Sequence, residues 1–275
     1  MTIAENLQRI QTAKADIKTA IENKGVNVGD ITIDGYAAKI DEIAVGGGES
    51  GLVKLPNGIS LANSTFTEFD MNGWDWSNVY DFSDMFSQCG NLENLISTPI
   101  KPMATNKMFY NCRTLTTISG IESWDTSMLT EMDNMFYDCA MMTSLDLSGW
   151  NASNVTNMER MFNGCLNLQN IDLSSWNASN VTNMNSMFYN CKKLIKVDLS
   201  GIDLSNVTNM NALFAASPLL SEIKLKGNIS GSANITNVFL GIAKEGTLYY
   251  DERYDYSRII SSLPSGWTTI PTSFE

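Results

Sequence analysis

A Met-Phe or Leu-Phe pair followed three residues after the Phe by Cys or Ser recurs six times in this 275-residue chain. These segments end at Cys89, Cys112, Cys139, Cys165, Cys191 and Ser217, which gives intervals of 23, 27, 26, 26 and 26 residues. A nearly fixed period in the twenties is typical of a solenoid of stacked coils, in which equivalent residues form ladders. Each residue class must therefore be interpreted as a ladder before any member is interpreted as a functional site.

Each coil contains a leucine-rich strand pattern. In the well-preserved coil that begins at Trp150, Leu168, Ile171 and Leu173 have the L-x-x-L-x-L spacing of a leucine-rich repeat strand. Strand alternation directs Ile171 and Leu173 inward and Asp172 outward. The sequence therefore predicts one short strand in every coil, and stacking of the coils predicts a parallel sheet.

The segment before the strand has a different spacing. Apolar residues recur there every three or four positions, at Val155, Met158, Met161, Phe162 and Cys165. This spacing is typical of a helix, which Gly164 would end. We therefore expect each coil to contain a strand, a turn carrying Trp and Asn, and one or two turns of helix.

These patterns predict an α/β solenoid of the leucine-rich repeat type, with a parallel sheet, short helices and a period of about 26 residues. They divide the chain into an N-terminal helical oligomerisation or attachment module (1–45), a Gly-rich linker leading into the solenoid (46–69), leucine-rich repeats (70–243) and a C-terminal cap (244–275). A cap is expected because an open solenoid end would expose the core.

The first module has an amphipathic stripe at alternating three- and four-residue steps, formed by Ile3, Leu7, Ile10, Ile17 and Ile21. Lys14 occupies the one seam position that is not apolar. The stripe predicts either a coiled coil that makes the chain a homo-oligomer, or a helix that packs on a second short helix at residues 36–43. Whether such an oligomer is a dimer or a trimer stays open, because the seam is short.

Charge and composition exclude several classes of partner. The net charge of −12, without a cluster of Lys and Arg, argues against nucleic acid. No stretch approaches the roughly 20 apolar residues of a membrane span, so membrane insertion is not expected. The N-terminus lacks the apolar segment of a signal peptide, which predicts no secretion by that route. The five cysteines share one repeat position, which predicts buried thiols and no disulfide framework.

No catalytic site is evident, and we predict that the chain is not an enzyme, holds no metal and needs no cofactor. Histidine is absent, and every Cys lies in an apolar ladder without a base beside it. The candidate ligand-facing residues are the three stacked aspartates Asp146, Asp172 and Asp198. They could bind a ligand or offset their repulsion with a cation such as Ca²⁺. Alternatively, each Asp accepts hydrogen bonds from its own turn or is simply solvated.

Other ladders also have two interpretations. The Asn ladders (Asn154, Asn180 and Asn206, with Asn157, Asn183 and Asn209) would satisfy turn backbone groups or, if exposed, bind carbohydrate. The Trp ladder (Trp124, Trp150 and Trp176) would cover the solenoid edge or line a surface on which sugars stack. We expect the tyrosines that follow the Met-Phe pair, Tyr110, Tyr137 and Tyr189, to be partly exposed.

The motif L-x-x-L-D-L-S-x-W-x-x-S-N-V-T-N-M-x-x-M-F-x-x-C, over about residues 70–243, resembles the BspA-like leucine-rich repeat proteins. The last coils depart from it, with Ile202 in place of Trp, Leu213 in place of Met and Ser217 in place of Cys. Members of that family are bacterial surface adhesins or repeat regions in proteins of bacteria, protists and phages. The resemblance therefore implies binding without naming a ligand.

A second resemblance concerns residues 1–45. The segment AIENKGV, followed by YAAKIDEI and a Gly linker, looks like the N-terminal module of some bacteriophage tail and virion proteins. Together the resemblances predict a non-enzymatic virion protein, similar to a tail or head fibre and assembled in the host cytoplasm. Its N-terminal module would bind other virion proteins, and its solenoid would bind a host-surface glycan or protein. The alternatives are a structural or decoration subunit of the virion and a bacterial surface adhesin.

Overall fold

The structure, a computed structural model, describes residues 53–54 and 57–274. Within them the chain forms a parallel-sheet solenoid of about eight coils, so the predicted solenoid is confirmed. The predicted N-terminal module, with Ile3, Leu7, Ile10, Ile17 and Ile21, lies outside the described residues. The helices of the described part are all too short, and too polar, to cross a membrane.

Ten strands are present in the described part of the chain, and every pair of neighbours is parallel. They are β1 (Val53–Lys54), β2 (Glu68–Asp70), β3 (Trp74–Asp75), β4 (Asn94–Ile96), β5 (Thr117–Ser119), β6 (Asn170–Asp172), β7 (Lys196–Asp203), β8 (Glu222–Lys226), β9 (Glu245–Asp251) and β10 (Gly266–Thr272). They form sheets in the orders β1-β3, β2-β4-β5 and β10-β9-β8-β7-β6. The ladder is interrupted between β5 and β6, because the coil between them forms no strand at residues 143–146.

Alternation along the strands agrees with the sequence pattern. In β6, Ile171 is buried while Asn170 and Asp172 are exposed, and Leu173 is buried directly after the strand. The register pairs Ile171 with Val197, one repeat further on. The predicted inward and outward positions of this strand are therefore confirmed.

The prediction of a helix in each coil is wrong. Residues 159–164 form turns and no helix. Arg160 has a φ of 53° and Gly164 a φ of 77°, values that a right-handed helix does not allow. Two such left-handed residues, four positions apart, recur in the following coils, before the Met (or Leu) and before the Cys (or Ser). The spacing of three and four residues therefore comes from successive turns, and not from a helix.

Hydrogen bonds in these turns alternate between two directions. The Cys165 N–H donates to the Phe162 carbonyl within its own coil, at 3.2 Å. The N–H groups of Arg160, Phe162 and Gly164, which are two residues apart, donate instead to carbonyls of the next coil at 2.9, 3.0 and 2.9 Å. The turn segments therefore satisfy their backbone groups partly between coils, as a sheet does, and this bonding replaces the expected helix.

Stacked phenylalanines fill the centre of the solenoid. Their ring centroids lie 5.4–5.9 Å apart, and their planes are within 13° of parallel. The stack consists of Phe86, Phe109, Phe136, Phe162, Phe188, Phe214 and Phe239, and Trp267 continues it at 6.5 Å. Burying each ring stabilises the fold by about 1.5–3 kcal/mol, and stacking adds about 0.5–1.5 kcal/mol per pair.

The cysteines form a buried ladder of free thiols, as predicted. The thiols of Cys165 and Cys191 each donate to the Phe carbonyl of the preceding coil, with Sγ–O distances of 3.2 Å. The Ser217 hydroxyl makes the equivalent bond to the Phe188 carbonyl at 2.9 Å. Serine can replace cysteine in the last copy because this position requires a short side chain that donates a hydrogen bond.

The C-terminal segment continues the sheet after the repeat is lost. Strands β9 and β10 pair in parallel over seven residues each, and helix α1 (Ser257–Ile260) lies between them. The buried Tyr256 donates its hydroxyl hydrogen bond to the Gly227 carbonyl at 2.7 Å, which ties this segment to the repeats.

Candidate functional site

The three aspartates proposed as a ligand-facing ladder accept hydrogen bonds from their own turns. In each, Oδ1 accepts from the backbone N–H two residues later, at 2.9–3.0 Å. Asp146 and Asp172 are exposed, whereas Asp198 is 5% exposed. The alternative that each Asp bonds its own turn therefore describes what the structure contains.

Repulsion along this ladder is offset by lysine. Asp172 and Asp198 are register partners, and Lys224 in the next coil places its Nζ 2.8 Å from Asp198 Oδ2. Burial raises the pKa of Asp198, but the hydrogen bonds from Lys224 and Ser200 outweigh it and leave that pKa below its usual value. Hydrogen bonds from Ser148 lower the pKa of Asp146. Over the described residues, no three His, Cys, Asp or Glu side chains are grouped as metal ligands.

A depression of about 370 Å³ lies beside Asp146 and Asp172. Its lining comprises residues 144–148 with Asp172, Ser174 and Ser175, and it opens where the strand ladder is interrupted. The backbone N–H groups of residues 144–147 donate no hydrogen bond to any part of the chain that the structure describes. The depression therefore combines two carboxylates, serine hydroxyls and free backbone donors, which suits a polar ligand with several hydroxyl groups.

Sequence reasoning missed this depression. The coil's Ser-Leu-Asp-Leu at residues 144–147 has the same apolar alternation as Asn-Ile-Asp-Leu at residues 170–173, where β6 forms. The short interval of 23 residues between Cys89 and Cys112 lies two coils earlier, where β4 and β5 pair in regular register, so it does not predict this interruption.

The Asn and Thr ladders form a polar face on the next side of the coil. Asn154, Asn180 and Asn206 are exposed, and each donates its Nδ2–H to a serine carbonyl of the preceding coil at 2.7–2.8 Å. The exposed hydroxyls of Thr156, Thr182 and Thr208 likewise donate to the preceding coil, at 3.1–3.2 Å. These bonds hold the equivalent side chains of three successive coils in the same arrangement, and the side chains remain exposed.

The second Asn ladder (Asn157, Asn183 and Asn209) accepts hydrogen bonds from its own turns. The Oδ1 atoms of Asn157, Asn183 and Asn209 accept from the N–H two residues later at 3.1 Å, and these side chains are half-buried. They satisfy turn backbone groups, which agrees with the structural interpretation of this ladder.

The tryptophans are structural. Trp124, Trp150 and Trp176 are only 2–3% exposed, and their rings stack at 5.8 and 6.1 Å. The indole N–H groups of Trp150 and Trp176 donate to carbonyls of the preceding coil at 2.8 and 3.0 Å. Rings so deeply covered cannot serve as a platform for sugars, and the edge-covering interpretation holds.

The tyrosines reach the surface to different extents. Tyr110 and Tyr137 are half-buried and stacked, with ring centroids 4.8 Å apart, whereas Tyr189 is 41% exposed. The five cysteines that precede the strands are fully covered, and burial raises the pKa of Cys191 to about 12, so its thiol is a poor nucleophile.

The sequence matches a family described as "Mycoplasma protein of unknown function, DUF285" over residues 57–99 and 103–226, which is more than half of the chain. No curated protein and no solved structure matches the chain. The matched residues cover most of the described solenoid, from the first described coil to the end of β8.

Proposed function

The chain belongs to the family of Mycoplasma proteins of unknown function, DUF285, and we propose that it is a non-enzymatic virion protein of a bacteriophage that binds a host surface. The solenoid is the binding part. The N-terminal module attaches the chain to other virion proteins and to further copies of itself through Ile3, Leu7, Ile10, Ile17 and Ile21.

One observation carries the binding proposal: one outer face repeats the same exposed Asn and Thr side chains in three successive coils. Asn and Thr ladders are held in equivalent positions by hydrogen bonds between coils. Parallel strands lie about 4.8 Å apart, so the same group is presented three times along the axis at that spacing. A repetitive surface polymer would meet this face through many weak contacts, and oligomerisation would multiply them.

The assignment to a virion rests on the two sequence resemblances. The BspA-like motif supports binding at a cell surface, and the pattern of residues 1–45 supports attachment to a phage particle. The described part adds that the Phe, Met and Cys ladders are buried. The Asp depression, the Asn and Thr face and the tyrosines are surface features of this part that are available for binding.

Two measurements test the proposal. The first is whether the full chain is present in purified phage particles, by mass spectrometry, and at which position immunogold labelling detects it. The second is binding of the fluorescent full chain to host cells, compared with a Leu7→Asp, Ile10→Asp double variant. We expect the double variant to be monomeric by light scattering and to bind cells at least tenfold more weakly.

The outcomes separate the alternatives. A chain that is found in particles but binds no host cells would be a structural or decoration subunit. Detection of the chain on uninfected cells would favour a bacterial adhesin. An unchanged mass of the double variant would contradict oligomerisation through this stripe, and the cell-binding proposal would then depend on single chains.

A further inference from the structure

Three exposed apolar side chains lie on the face that carries the Asn and Thr ladders in later coils. Tyr80, Met103 and Met128 are 46%, 52% and 45% exposed. The Met103 N–H donates to the Tyr80 carbonyl at 2.7 Å, in the same way as the Thr182 N–H donates to the Thr156 carbonyl at 2.8 Å. Tyr80 and Met103 therefore occupy, in the earlier coils, the column that threonine occupies in the later ones.

Met128 corresponds to the asparagines of the neighbouring column. It follows Ser127, whose carbonyl accepts the Nδ2–H bond of Asn154 at 2.8 Å, just as Asn154 follows the serine that bonds the next Asn. The same face is therefore apolar in the earlier coils and polar in the later ones. Tyr80, Met103 and Met128 make up what we call the apolar patch.

The size of the apolar patch favours an occupant from the same chain. With about 200 Å² for each whole side chain, three half-exposed side chains present roughly 300 Å². A stable interface between separate proteins buries about 800 Å² on each partner. A segment tethered by a short linker needs less contact area, because the tether gives it an effective concentration in the millimolar range.

The described chain begins beside this patch. Asn57 Oδ1 accepts hydrogen bonds from the Tyr80 and Asp81 N–H groups at 2.7 and 2.9 Å, and β1 precedes Asn57 directly. Residues 44–56 can span at most about 45 Å. The apolar patch extends over two coil steps, roughly 10 Å. A segment that ends at residue 43 can therefore reach all of it.

We propose that residues 36–43 pack on the apolar patch through Tyr36, Ile40 and Ile43. These three residues are at positions i, i+4 and i+7, on one face of the short helix that the sequence predicts there. So short a helix is marginal in water and needs a partner. When the N-terminal stripe pairs as a coiled coil, it does not supply that partner, and the apolar patch does.

The contact fixes the N-terminal module beside the first coils. It leaves the Asn and Thr ladders of the later coils open, because they lie further along the same face. The inference concerns how the module is held on the solenoid. It therefore goes beyond the proposed host-surface binding and does not depend on it.

Paired cysteines in the full chain test the contact, because the five native thiols are buried. Ile40→Cys combined with Met103→Cys should form an intrachain disulfide under mild oxidation, identified by peptide mass spectrometry. Ile40→Cys combined with Met141→Cys is the matched control. Met141 is 48% exposed and lies in the same coil as Met128, but its N–H bonds Arg113, away from the patch. We expect the control to cross-link at least tenfold less.

Hydrogen exchange gives a second readout that needs no new cysteine. Met103→Asp places a charge in the apolar patch, so the amides of residues 36–43 should exchange at least tenfold faster than in wild type. Met141→Asp should leave their exchange unchanged. Both substitutions are at exposed positions, where the fold tolerates a polar side chain.

Equal cross-linking of the two cysteine pairs would overturn the contact, since a free tether would reach both sites. An absence of cross-links, or unchanged exchange in Met103→Asp, would overturn it as well. Disulfide-linked dimers would show that a second copy covers the patch. If any of these results is found and the chain still binds host cells, the contact is refuted and the proposed function stands.

Discussion

Replacing Ala216 by glycine distinguishes the turns of this solenoid from the helices that the sequence spacing predicts. Ala216 has a φ of 60°, and its N–H donates to the Leu240 carbonyl of the next coil at 2.7 Å. Glycine adopts this conformation without the clash between Cβ and the following carbonyl. In a helix, by contrast, the same replacement would exchange alanine, which has a high helix propensity, for glycine, which has a low one.

A left-handed turn and a helix at residue 216 predict changes of opposite sign in the free energy of unfolding of Ala216→Gly. The left-handed conformation costs a residue with a Cβ about 1–2 kcal/mol, and glycine avoids this cost. Glycine loses more backbone entropy on folding, which offsets about 0.5–1 kcal/mol of the gain. Ala216→Gly should therefore raise the free energy of unfolding by about 0.5–1 kcal/mol. If residue 216 were inside a helix, the substitution would lower it by about 1 kcal/mol.

Urea denaturation followed by circular dichroism measures the difference, provided that wild type and variant have the same dependence on urea. Ala178→Gly is the control, because Ala178 is buried, pairs with Ile202 and has no positive φ. It should lose about 1 kcal/mol, since glycine there costs entropy and packing. Ala216→Gly that is destabilised as much as Ala178→Gly would refute the left-handed turn.

Three further measurements test individual groups. The buried Thr105 hydroxyl has no hydrogen-bond partner in the described chain, so Thr105→Val should stabilise by about 1 kcal/mol in thermal denaturation. Thr126→Val should destabilise, because that hydroxyl both donates to and accepts from the backbone of residue 151; equal effects of the two would contradict this reasoning. The Lys101 ammonium, 2.7 Å from Asp125, lowers the pKa of Asp125 to about 2. In Lys101→Met, carboxyl NMR should show a higher pKa than in wild type, still below the usual value because Ser127 continues to donate two hydrogen bonds to Asp125. The stability contributed by the Lys101–Asp125 pair should be present above pH ~4 and lost as the pH falls through 2. Burial raises the pKa of Cys191 to about 12, so Ellman's reagent at pH 8 should detect all five thiols only after denaturation; rapid reaction of the native chain would show that the ladder is accessible.

Much of the fold could be predicted from the sequence, because a solenoid repeats its constraints. The interval of 26 residues predicts stacked coils, and the register of Ile171 with Val197 follows from it. Alternation identified the inward residues of β6, and the shared position of the cysteines identified them as buried thiols. These inferences depend only on period and on the difference between apolar and polar side chains.

The helix prediction failed for a physical reason. Successive turns with a left-handed residue at every fourth position place apolar side chains at the same three- and four-residue steps as a helix. Asn, Asp or Gly before the Cys, as at Asn111, Asp138, Gly164 and Asn190, was a signal for positive φ that apolar spacing alone does not include. The difference matters for function, because turns that bond to the next coil bring the surface columns into register.

The sequence by itself therefore determined the solenoid, its period, its buried ladders and the polar character of its outer faces. Only the tertiary structure decided which exposed groups meet across neighbouring coils. The Asp146 depression exists because one coil leaves the strand ladder, and it brings Asp146 and Asp172 to the same surface feature. These two residues are 26 positions apart, and their proximity is set by packing of the coils and not by any local pattern.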